Sequence, residues 1–264
     1  MARINAYLVA GGWWHDFDYV RLELLKLLAE DDTVRVQVAQ NYDDVAAITA
    51  CDFLVSYTCN VRPSVQVQDA LRAWVNDGGR WFALHGTNSA IDPPPGGFGT
   101  GPFETPRAFP TFADTLGSQF LSHPPMGQYP VTVSPGAEND PLVEGIPVFQ
   151  ADDELYLCEY HGDIEPLLET HWHGDTGPGF AETDWPIDDA RLVLYRRALG
   201  KGCVLYFTLG HCRGHYDMIA PPFNGMYWPN PERGSWDVPE FYEVLRRGLS
   251  WAKQPAIERT KARA

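Results

Sequence analysis

The early part of the chain alternates apolar strand-like runs with amphipathic helical segments, and this pattern most constrains how it can fold. Residues 4–10 form an almost unbroken apolar run, as a strand buried on both faces requires. Residues 18–30 then place Val20, Leu24, Leu27 and Leu28 on one helical stripe, with Asp18 as the predicted N-cap. Val34, Val36 and Val38 alternate within a strand at 33–39, and 52–57 is a further short strand. A helix over 65–76, with Val67, Leu71 and Val75 on one face, ends at Gly78-Gly79 before a strand at 80–84. Strands separated by helices imply parallel crossovers. The expected fold is α/β, an open, mainly parallel, doubly wound sheet with helices on both faces.

The second half is less regular. Residues 91–110 are rich in Pro and Gly and read as a long loop insertion serving as lid, binding loop or oligomer contact. A helical segment is expected at 111–121. An edge strand is expected at 129–134, because Pro130 has no N–H for a ladder. Residues 191–197 and 202–209 read as a hairpin joined by Ala198-Leu199-Gly200-Lys201. Phe241, Leu245 and Leu249 mark a closing amphipathic helix at 239–252. With no repeat or linker, residues 1–255 read as one domain and 256–264 as a short charged tail.

A net charge of −15 over 264 residues argues against a nucleic-acid backbone or an anionic membrane surface as partner. No apolar stretch is long enough to span a bilayer. The five cysteines are scattered with no CxxC spacing, which suits free thiols in a reducing compartment, so a cytoplasmic location is expected.

Ligands of open α/β sheets bind outside the carboxyl ends of the strands. Three histidines follow predicted strand ends: His15, His85 and His211. The turn His85-Gly86-Thr87-Asn88 resembles a nucleophile elbow, but it carries no Ser or Cys at its tip. His85 is therefore a base, an acid or a metal ligand, or else a buried cap. In Asp152-Asp153-Glu154-Leu155-Tyr156 a strand would put Asp152 and Glu154 on one face. A carboxylate there could tune the histidines, take a proton or bind a metal; the plain alternative is a solvated acidic turn. His171 and His173 share a strand face but read as a surface pair. No dinucleotide or phosphate-loop motif is present, so no organic cofactor is expected, while a divalent metal stays open.

Several pieces recur in order: Gly11-Gly12 with His15-Asp16, Phe82-Ala83-Leu84-His85-Gly86, His123-Pro124, Asp153-Glu154-Leu155-Tyr156, Gly200-Lys201-Gly202 leading to Leu209-Gly210-His211, and Ser250-Trp251-Ala252. This ordered set resembles the trehalose-utilisation (ThuA-like) family, whose fold is similar to flavodoxin and to class I glutamine amidotransferases. In those amidotransferases the turn held here by His85 carries the catalytic Cys, so the resemblance implies the fold without glutaminase activity. It also implies sugar catabolism, notably of oxidised keto-sugars. The expected chemistry is proton transfer next to a carbonyl, as an isomerase or lyase, by His85, Asp153, Glu154 and His211. Trp13, Trp14, His15, Asn88, His123 and Tyr156 are the expected substrate contacts, and His15 with His211 the candidate metal ligands. A metal-dependent hydrolase and a non-catalytic sugar-binding module are the alternatives. A homodimer through the long loops is also expected. The 91–110 loop and a second loop at 218–235 depart from the family.

Overall fold

The computed structural model describes residues 3–97, 99–217 and 226–262. The chain alternates β1 (Ile4–Gly12), α1 (Phe17–Leu28), β2 (Val34–Ala39), α2 (Val45–Thr49), β3 (Phe53–Cys59), α3 (Val65–Asn76) and β4 (Arg80–Leu84). After a 3₁₀ turn at His85–Asn88 come α4 (Pro110–Leu116), β5 (Ser118–Ser122), β6 (Gly127–Val133) and β7 (Phe149–Asp153). Then follow β8 (Leu157–Tyr160), β9 (Glu165–Asp175), β10 (Asp184–Leu199), β11 (Gly202–Phe207) and α5 (Pro239–Lys261).

Nine strands form one sheet in the order β2-β1-β3-β4-β11-β10-β9-β6-β7, and β5 pairs with β8 apart from it. Neighbours from β2 to β11 are parallel, as the strand–helix alternation requires. From β11 to β7 every pair is antiparallel, so the sheet is mixed. Both faces of the parallel half are covered. Ala6, Leu8 and Ala10 of β1 join Leu24 of α1 and Leu245 of α5 in one core, while Tyr7 and Val9 join Leu71 of α3 and Phe112 of α4 in the other. Each such Leu or Phe contributes about 1.5–3 kcal/mol over its exposed state, which is why these strands read as unbroken apolar runs.

Several boundaries differ from the sequence reading. Asp16, rather than Asp18, caps α1 by accepting from Tyr19 N at 3.1 Å, because it lies where the chain turns out of β1. The helix expected over 111–121 stops at Leu116, where Gly117 adopts φ 88°, and the rest is β5. Strand β6 lies inside the sheet rather than at its edge, which is β7. It tolerates Pro130 because its pairing with β9 covers only Thr132 and Val133. The hairpin is present, but β10 begins at Asp184. Finally, α5 runs on through most of the expected tail to Lys261, with Ala256 buried and Arg259 2.6 Å from Asp52. No helix among the described residues is long and apolar enough to cross a membrane.

Candidate active site

Residues at the carboxyl ends of β1, β3 and β11 line one cavity of about 360 Å³, and His85, following β4, lies against its His15 and Tyr156. Trp14, Phe103, Phe120, Phe180 and Trp228 make its aromatic walls, and His15, Glu154, Tyr156 and His211 lie along its base. His123, Arg213 and Glu232 bring further polar groups to its lining.

Each histidine is placed by its own strand end. Beyond β1, Gly12 has φ 123°, and a Cβ there would lie 1.9 Å from the Cys59 carbonyl oxygen, so only glycine lets β1 pass β3 at this point. Trp14 follows with φ 65°, and His15 Nδ1 lies 3.2 Å from Trp13 O. His85 ends β4 with φ 44°, a left-handed backbone that non-glycine residues seldom adopt outside functional sites. Its Nδ1 is 2.8 Å from Thr208 O, one residue past β11, and Tyr206 Oη donates to its carbonyl. The His211 ring is held from outside by Glu232, whose Oε2 lies 2.9 Å from Nε2.

Carbonyl oxygens only accept, so His15 and His85 both carry a proton on Nδ1 and turn Nε2 inward. Those two Nε2 atoms lie 2.9 Å apart. Glu154 adds Oε2 at 3.5 Å from His85 Nε2 and Oε1 at 3.0 Å from His211 Nδ1. The Glu154–His211 contact is an ion pair whose geometry falls short of a well-aligned hydrogen bond. Tyr156 Oη is 3.1 Å from His85 Nε2. One ligand atom from each of His15, His85, Glu154 and His211 lies within 4.8 Å of all the others, so these four side chains could hold a metal ion.

Burial, and then the charge of His85, hold His15 well below the ordinary imidazole range. Burial would also lower His211, but Glu154 and Glu232 outweigh it and push that imidazole up to about 10. Glu154 itself is held well below the usual carboxylate range: burial opposes this, and the neighbouring His123 and His211 prevail. Burial, then the Glu154 charge, raise the Tyr156 phenol well above its ordinary value, so it stays a neutral donor.

The other predicted site residues take different places. Asp153 does not line the cavity; its carboxylate accepts the backbone N–H groups of Gly210 at 2.9 Å, His211 at 3.0 Å and Ser235 at 3.3 Å. It anchors the turn that carries His211. Asn88 is fully buried, and its amide donates to Ser118 Oγ at 2.7 Å, away from the cavity. Trp13 packs edge-on against Trp14 instead of lining the wall. His171 and His173 lie on the β9 surface near Asp188. Glu232 escaped the sequence reading because it lies in an irregular loop with no period; its bridge to Arg213 is visible only in three dimensions. The 91–110 loop supplies Ile91 and Phe103 to the wall. Of the second departing loop, residues 218–225 lie outside the described residues.

Among curated proteins, none matches the chain in sequence. Solved structures share its fold, among them two ThuA-like proteins. One is a ThuA-like protein from Bacteroides uniformis, 16% identical with TM-score 0.60, in a match covering 95% of this chain and 91% of that one. The other is a ThuA-like protein from Parabacteroides merdae, 17% identical with TM-score 0.57, covering 95% and 90%. The family model ThuA, described as trehalose utilisation, matches residues 5–226. With most of its length matched and its strand-end histidines gathered at one cavity, the chain belongs to the ThuA family.

Proposed function

We propose that this protein is an enzyme acting on a keto-sugar or related carbohydrate by proton transfer next to a carbonyl. Family membership supports a carbohydrate-related role. The observation that carries the finer reading is the combination of aromatic walls with imidazole, carboxylate and phenol groups at one cavity. Aromatic faces suit the C–H faces of a sugar ring.

Abstraction of an α-proton needs a base with an open lone pair and a donor facing the carbonyl oxygen. His123 supplies the base. Its Nδ1–H donates to Pro124 O at 2.7 Å, leaving Nε2 bare, 3.5 Å from Glu154 Oε1. The neutral Tyr156 hydroxyl supplies the donor. The proton passes from carbon to His123 Nε2 while the carbonyl π electrons move onto oxygen. Isomerisation follows when the former carbonyl carbon takes the proton back from His123 and the adjacent hydroxyl passes its own proton to the first oxygen, becoming the new carbonyl. Elimination follows when a β-alkoxy group leaves with the bonding pair and takes the proton from His123. Asp153, His85 and His211 build the base of the site in this reading rather than taking the proton. Five free cysteines support a reducing, cytoplasmic setting.

The test is incubation with a keto-sugar panel in D₂O, followed by NMR. Deuterium entering the carbon next to the carbonyl, and its loss in His123→Ala, are the expected results. Turnover without exchange would favour hydrolysis, and saturable binding without turnover would favour a sugar-binding module.

A further inference from the structure

The base of the cavity turns three imidazoles and one carboxylate toward a common centre. The outward nitrogens of His15, His85 and His211 face Trp13 O, Thr208 O and the Glu232 carboxylate, all of them acceptors. Each imidazole therefore turns one ring nitrogen outward and the other toward the centre of the cluster. Three ring nitrogens and the Glu154 carboxylate face inward, with the Tyr156 hydroxyl 3.1 Å from His85 Nε2. Bare nitrogens 2.9 Å apart repel unless a cation sits beside them. The same geometry is how proteins prepare ligands: an outer acceptor fixes each tautomer and aims the free lone pair at the metal.

We propose that His15, His85, His211 and Glu154 form the coordination set of one first-row divalent transition-metal ion. Metal–nitrogen bonds of about 2.0–2.1 Å place two ligand atoms on one ion about 3.0–3.4 Å apart. The 2.9 Å and 3.0 Å separations of His15 from His85 and of His211 from Glu154 are close to that range. Three imidazoles and one carboxylate suit Zn²⁺, Fe²⁺, Co²⁺ or Mn²⁺ better than Ca²⁺ or Mg²⁺, which prefer all-oxygen shells. The open cavity above the set leaves room for a substrate oxygen to complete the coordination. This assignment concerns the site used for the proposed proton transfer, but it does not depend on that chemistry.

The test uses the full chain without an affinity tag, stripped by chelator and titrated with Co²⁺ and Zn²⁺. One equivalent per chain and visible Co²⁺ ligand-field bands are expected. His15→Ala and His211→Ala should each weaken binding at least about 100-fold. Glu232→Gln, which leaves all four ligands but loosens the His211 ring, should weaken it about 10- to 100-fold. His171→Ala, on the surface, should change nothing. Absence of Co²⁺ bands and of Zn²⁺ binding at micromolar metal in the wild type would overturn the proposal, even if a variant failed to fold. So would unchanged affinity in a folded His211→Ala. Deuterium exchange by a protein that binds neither Co²⁺ nor Zn²⁺ would sink the metal assignment alone; one bound metal without exchange would sink the proton-transfer reading alone.

Discussion

Asp153 holds His211 by its backbone, accepting the His211 N–H at 3.0 Å and the preceding Gly210 N–H at 2.9 Å, while the His211 ring points elsewhere. The carboxylate is 1% exposed, so its work is to satisfy a turn that has no ladder to join. Asp153→Asn keeps the shape and one accepting oxygen but replaces the other, and the charge, by an NH₂ group that can only donate. A loss of about 2–3 kcal/mol in urea denaturation is expected, since hydrogen bonds to a buried charge are among the stronger ones. A variant as stable as wild type would show that the turn holds itself.

His123 should be separable from the fold. It is half-buried at the cavity, where its ring meets Phe180 edge-on at 5.0 Å and Phe120 at 5.9 Å and belongs to neither of the two cores that flank the sheet. His123→Ala should lower turnover about 10²- to 10⁴-fold, the usual contribution of a general base, with little change in melting temperature. Kinetics beside thermal denaturation checks both halves.

Gly248 tests packing against propensity. In an exposed helix Gly→Ala gains about 1 kcal/mol. Here a Cβ would meet the fully buried Phe82 ring at 2.4 Å. Gly248→Ala should instead destabilise by about 1–3 kcal/mol, because the ring has no space to retreat into. Chemical denaturation decides the sign.

Asp31 carries a pH signature. Its hydrogen bonds to Lys253 and Thr33 lower its pKa from 3.8 to about 2. The unfolded carboxylate takes up its proton first as pH falls, so stability from this group is complete above about pH 4 and disappears toward pH 2. The pair is partly solvent-exposed, with 2.6 Å between Lys253 Nζ and Asp31 Oδ2, and screening keeps its worth at or below about 1 kcal/mol. Asp31→Asn should cost that much at pH 6, and progressively less between pH 4 and pH 3. Urea titrations at several pH values measure the difference.

The thiols should be inert. Burial, aided by Asp52, pushes Cys51 up to about 12; burial does the same for Cys158 and Cys212 and raises Cys59 and Cys203 as well. Native protein at pH 8 should react with a thiol reagent only slowly, and five equivalents should appear on denaturation.

The parallel half was legible because a strand buried on both faces must be apolar throughout, and 4–10 and 80–84 are. Helix α3 matches its expected span because its apolar face is regular and Gly78-Gly79 end it, and the structure adds Ser64 as its N-cap. The antiparallel half was harder. β10 starts in Asp184–Asp189, where Trp185 and Ile187 are separated by Pro186, flanked by aspartates and mostly solvent-facing, so no buried strand pattern shows. At the site, His15, His85 and His211 stood out because each follows a strand end. Asp153 and Glu154, adjacent in sequence, part company: one turns to backbone amides and the other to the cavity, a choice set by where β7 ends. Glu232 depended on a loop pairing that local sequence does not encode.

The cavity is built from two kinds of backbone. His15, His85 and His211 are pinned to strand ends, whereas Ile91, Phe103 and Trp228 come from connecting segments tied down by short bridges such as Asp92 with Glu104 and Arg213 with Glu232. The three imidazoles and most of the apolar wall are thereby written in separate stretches of the gene. Insertions in the connecting segments can reshape which molecule fits without disturbing the groups beneath it. Grafting the 91–104 segment between relatives is then a route to new substrate range on an unchanged reactive base.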